Sequence, residues 1–93
     1  MRKIFVYAVK DELTDTFMQP IFHESDLEVG RIFEYQINNT PIWKSNPADF
    51  SLYKLGTFNE ETGEFTSKIE KIAGGRSVLR RETDDDLQSA EQA

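Results

Sequence analysis

Only one stretch of this chain has the periodicity of an amphipathic helix, and it lies between segments that read as strands. In HESDLEVGRIFEYQINN, residues 23–39, Val29, Ile32, Phe33 and Ile37 recur at i, i+3, i+4 and i+8. That stripe is wide enough to face a core, and Leu27 can flank it. Ser25 followed by Glu28 has capping-box spacing, in which the Ser oxygen accepts the amide three residues on. Asp26 and Glu28 place negative charge where the helix dipole favours it. Asn38 and Asn39 can end the helix, and Pro41 does not continue it. Gly30 costs about 1 kcal/mol relative to Ala in a helix interior, so it is expected to permit the close approach of a strand.

The flanking segments alternate as strands do. KIFVYAV, residues 3–9, is β-branched and aromatic, with both faces partly apolar. FMQPIF, residues 17–22, contains Pro20, which cannot donate to a ladder, so this strand is expected at an edge or irregular there. TPIWKSNPAD, residues 40–49, reads as a loop holding Trp43, with Pro47 and Asp49 in one short turn. Residues 50–58 and 64–69 form a hairpin around EETG, with Gly63 supplying the left-handed residue that closes it and Phe58 facing Phe65. Phe50 and Leu52 share one face and Tyr53 and Leu55 the other, but Phe58 falls out of step. A bulge at Gly56–Thr57 brings Phe58 back to the face of Tyr53.

The order is therefore ββαββ. One helix covers one face of an antiparallel sheet of about four strands, a two-layer α+β domain over residues 1–72. Residues 73–93 read as a basic segment followed by an acidic tail expected to be disordered. The second sheet face has large side chains and no second helix. Such a patch marks a partner surface, either a homodimer interface or a platform on which bases stack.

Length and composition narrow the function classes. Ninety-three residues make one domain. Without Cys there is no disulfide, thiolate metal site or Cys nucleophile. The N-terminal apolar run ends at Val9, too short for a secretory core, and no run approaches the roughly 20 apolar residues of a membrane span. A soluble, unexported protein without membrane contact is expected. His23 is the single histidine, the carboxylates are scattered, and Gly74-Gly75-Arg76 lacks phosphate-loop spacing. No metal or cofactor and no catalysis are expected.

The net charge of −6 is unevenly spread. Five of the 17 acids lie in residues 82–93, which have no Lys or Arg, leaving 12 acids against 11 bases in residues 1–81. Residues 68–81 hold Lys68, Lys71, Arg76, Arg80 and Arg81 against Glu70 alone. Single-strand binders combine such a basic patch with aromatics on which bases stack, and aromatics make up 12% of this chain. Phe33, Tyr53 and Phe58 are assigned to the core. Trp43, Phe50 and Phe65 are the stacking candidates, and the five basic residues are the phosphate candidates. On residues alone, a nucleic-acid binder and a plain dimeric interaction protein both stay open.

Four motifs carry a family resemblance: K-I-F-V-Y-A-V-K-D at residues 3–11, F-M-Q-P-I-F at 17–22, R-I-F at 31–33 with N-N after it, and N-P-A-D-F-S-L-Y-K-L-G-T-F-N-E-E-T-G-E-F at 46–65. Over roughly residues 3–70 the chain resembles the small non-structural protein of gokushovirus-type microviruses, which are small single-stranded DNA phages. The resemblance implies a DNA-binding protein of the host bacterial cytoplasm. It would help turn replication from double-stranded intermediates to single-stranded genomes for packaging. It adds Arg31 to the phosphate candidates and gives Asn46, Pro47, Asp49, Gly56 and Gly63 an architectural role as turn and bulge positions. The alternative is a dimeric adaptor that binds a viral or host replication protein without touching DNA.

Overall fold

The computed structural model describes residues 2–80; Arg81 and the acidic run 82–93 lie outside them. Strand β1 (Lys3–Asp11) runs inside a five-stranded antiparallel sheet. On one side it pairs with β2 (Thr16–Phe17) and β3 (Ile21–His23), and on the other with β4 (Phe50–Asn59), which pairs with β5 (Phe65–Gly74). β2 and β3 are one edge strand interrupted at residues 18–20. Pro20, with no N–H to give, sits in the gap. This interruption is why the sheet counts five strands; the two-layer α+β architecture is the one the sequence indicates.

Helix α1 (Asp26–Asn39) lies on one face of the sheet, with Ser25 Oγ accepting the Glu28 N–H at 3.2 Å. Val29, Phe33 and Ile37 are at most 1% exposed and pack with Tyr7, Phe50 and Leu52. Burial of such side chains contributes about 1.5–3 kcal/mol each. The buried stripe is narrower than its sequence spacing indicates, because Ile32 and Leu27 face solvent.

The close approach expected at Gly30 is absent: no atom stands within 4 Å of where its Cβ would be. It occurs instead at Gly75, where a Cβ would collide with the Pro47 carbonyl oxygen and stand 2.9 Å from Ile37 Cδ1. Residues 40–49 are likewise not a plain loop. Pro41 opens a short helix α2 (Pro41–Ser45), at a position where its missing N–H goes unused. Asn46 ends α2, its amide donating to the Ile42 carbonyl at 2.9 Å, and a 3-10 turn follows at Pro47–Asp49.

The domain also extends past residue 72. β5 runs to Gly74, α3 (Gly75–Val78) packs on α1, and Val78 and Leu79 join the core. Asn38 fastens this end: its Nδ2 donates to the Val78 carbonyl at 3.0 Å and its Oδ1 accepts the Arg80 N–H at 2.7 Å.

A polar tie joins the first turn of α1 to the sheet. The Tyr7 hydroxyl donates to Asp26 Oδ1, and Lys54 Nζ lies 3.2 Å from the same oxygen and 3.7 Å above the Phe5 ring. Burial, the bond to Asp26 and its charge push the Tyr7 phenol above its ordinary value. The Tyr7 bond, aided by Lys54 and opposed by burial, holds the Asp26 carboxyl below its ordinary value.

Because the folded value of Asp26 is lowered, its contribution to stability is present above the unfolded value near ~3.9 and is lost as pH falls below it. Denaturant unfolding of Tyr7→Phe is expected to show a loss of about 1 kcal/mol at neutral pH and a shallower acid loss than the parent. An unchanged acid limb would count against the tie. Gly30→Ala is expected to gain about 1 kcal/mol in the same assay; a loss there would mean that the site is crowded after all.

Candidate nucleic-acid interface

Strand parity sorts the side chains of the sheet. Phe5, Tyr7 and Val9 of β1 face α1 and its core. Ile4, Val6, Ala8 and Lys10 therefore face the opposite side. Directly paired residues share a face, which places Phe17 (with Lys10), Phe22 and Gly56 (with Val6), Tyr53 (with Ala8) and Phe58 (with Ile4) on that opposite side. Phe65 joins them opposite Phe58, and Lys71 opposite Tyr53. No helix among the described residues covers this face.

The face is continuous because β4 is irregular. Val6 pairs with Gly56 and the next residue, Tyr7, with Lys54, so Leu55 is inserted. The bulge lies one residue before the Gly56–Thr57 position that the sequence indicates, yet it has the expected effect: Phe58 returns to the face of Tyr53. Gly56 is needed for a different reason. A Cβ there would collide with the Thr66 carbonyl oxygen and lie 2.9 Å from Phe65 Cζ. At the far end Gly63 (φ +79°) closes the β4–β5 turn, and the Asn59 carbonyl accepts its N–H at 2.8 Å.

Two edge-to-face ring pairs line the face. Phe17 and Tyr53 have centroids 5.5 Å apart at 81°, and Phe22 and Phe58 6.1 Å apart at 83°. Phe17, Phe22 and Phe65 are 42%, 56% and 51% exposed. Lys10 braces the first pair, its Nζ 5.6 and 5.8 Å from the two ring centroids, 2.8 Å from Asp15 and 3.4 Å from Glu12. The hydrogen bond to Asp15 leads the effects that raise its pKa, so this lysine stays charged. Tyr53 Oη donates to Glu12 at 3.3 Å.

Four residue assignments made from sequence change here. Trp43 and Phe50 are not an exposed platform. Phe50 pairs with Asp11 on the α1 side, is 7% exposed, and carries the half-buried Trp43 ring stacked on it at 4.7 Å and 18°. Tyr53 and Phe58 are not in the helix-side core. Phe65 lies exposed on the open face, and so do Phe17 and Phe22. The step-of-two pattern of β4 separates Phe50 and Leu52 from Tyr53 and Phe58, but it does not say which set α1 covers.

The basic candidates scatter. Arg31 and Arg80 share a groove on the outer side of α1 with Glu28, Ile32, Glu34 and Tyr35, and Arg80 lies 3.9 Å from Glu34. Lys68 is 3.1 Å from Glu70, whose partner Lys54 belongs to the α1 side. Arg76 is exposed on α3, and Arg81 is outside the described residues. Lys71 alone stands among the rings. Asn46, Pro47 and Asp49 form the turn before β4, where the Asp49 carbonyl accepts the Glu12 N–H at 2.7 Å.

The two kinds of ring should respond differently to truncation. Phe50→Ala is expected to cost about 3–5 kcal/mol in thermal or denaturant unfolding. Phe22→Ala, which loses chiefly an edge-to-face partner, should cost about 1 kcal/mol. Equal costs would contradict the division of faces.

No curated protein and no solved structure matches the chain. The model of one protein family, described as Phage ORF5 protein, matches residues 4–78, which run from β1 through α3. With that match spanning the fold just described, the chain belongs to the Phage ORF5 protein family and is a phage protein.

Proposed function

We propose that this phage protein is a non-catalytic binder of single-stranded DNA that uses the open sheet face as its stacking surface. The observation that carries this reading is the run of Phe17, Tyr53, Phe22, Phe58 and Phe65 on a face that no helix of the described residues covers, with three of the rings 42–56% exposed. Each base stacked on such a ring contributes about 1–3 kcal/mol with little regard to sequence. The edge-to-face pairs fix the ring orientations before any ligand arrives. The resemblance to gokushovirus-type non-structural proteins supports the setting: the host bacterial cytoplasm, as replication turns from double-stranded intermediates to single strands for packaging. A homodimer or a replication protein of virus or host covering the same rings is the competing use. The excess of acids over bases in the whole chain favours that use.

Titration of the full chain with labelled single- and double-stranded oligonucleotides at low salt distinguishes the two. Preference for single strands is expected, with Phe22→Ala and Phe65→Ala each weakening binding about 5- to 150-fold. Tyr35→Ala, on the outer side of α1, should leave affinity unchanged. No binding at low salt would overturn the DNA reading and leave the adaptor.

A further inference from the structure

Charge is graded along the open face. At the Phe17–Tyr53 end stand two lysines. Lys10 is already matched by Asp15 and Glu12 and is enclosed between rings. Lys71 is exposed, and no carboxylate of the described residues lies within ion-pair distance of it. Its side chain runs toward Gly74, reaching 3.8 Å from the point where a Cβ on that glycine would stand. Gly74 pairs with Ser51, and Ser51 with Lys10, so the ammonium stays on the open side. At the opposite end the β4–β5 turn carries Glu60, Glu61 and Glu64, with Arg2 beside the first two. A phosphate is attracted at the Lys71 end and repelled at the turn. The remaining described candidates, Arg31, Lys68, Arg76 and Arg80, lie off this face or are paired.

We propose, resting on the single-strand reading above, that Lys71 is, among the described residues, the one phosphate-contacting side chain of the open face. DNA binding by this protein is then driven by stacking and depends only weakly on salt. The strand lies with a phosphate at Lys71, beside the Tyr53 ring. Its bases run over Phe22, two residues of β1 further on, to Phe58 and Phe65, four residues on, about 13 Å at the rise of a strand.

The salt dependence of binding tests this directly. Each phosphate neutralised on a single strand gives a slope of about −0.7 in log K against log salt. One contact predicts a loss of about 2.6-fold between 50 and 200 mM salt, whereas six contacts predict about 300-fold. The probe is a labelled oligothymidylate of about 12 nucleotides, within the site sizes of single-strand modules, bound to the full chain. The expected result is the shallow slope for the parent, a slope near zero for Lys71→Gln, and the parental slope for Lys68→Gln and for Arg31→Gln with Arg80→Gln. A steep parental slope, or a slope retained in Lys71→Gln, overturns the assignment while the single-strand reading stands. Failure of the parent to bind the probe at the lower salt overturns both.

Discussion

Tyr7 lies in the middle strand of the sheet, fully buried, with its hydroxyl bonded to the first residue of α1. That contact fixes where the helix begins, while Val29, Phe33 and Ile37 fix the face it turns to the sheet. Asp26 serves three ends at once: it accepts from Tyr7, pairs with Lys54, and sits where the helix dipole favours negative charge. At the other end, Gly75 lets the chain pass close to Ile37 and Pro47, so α3 closes the same layer. The helical elements that touch the core all gather on one side as a result. With a single long helix among the described residues, none of their helices is left to cover the other side of β1.

That vacancy is shaped as well as left. The inserted Leu55 shifts β4 by one residue, and without it Phe58 would point toward α1 while Tyr53 pointed away. The missing side chain at Gly56 lets Phe65 lie across β4. Both sheet edges carry devices that discourage strand addition: a proline gap between β2 and β3, and register shifts plus lysines in β5. Association through the broad face is therefore easier than growth of the sheet at its rim.

Much of the fold was legible because local chemistry and global packing agree. The Ser25 cap, the helix stripe, the EETG turn closed by Gly63 and the irregular edge at Pro20 all appear where residue type demands them. What was not legible depends on contacts between distant segments. Nothing near Trp43 in sequence announces that its ring stacks on Phe50, and nothing near Gly75 announces Ile37 behind it. The site was legible only as an inference that one sheet face must be bare. Its membership turned on which set of β4 residues the helix covers, and Tyr7 and Asp26 decide that from elsewhere in the chain. The basic residues do not stay together for the same reason: neighbours between residues 68 and 80 disperse over β5, α3 and the outer side of α1.

The stacking of the only tryptophan on Phe50 has a practical consequence for spectroscopy. The indole sits in the helix-side layer, with the whole sheet between it and the exposed rings. Intrinsic tryptophan emission is thus a native folding probe, sensitive to the integrity of that layer. Of the three tyrosines, Tyr53 alone stands among the rings of the open face, half-buried against Phe17, so changes in its absorbance report on events that the tryptophan does not see.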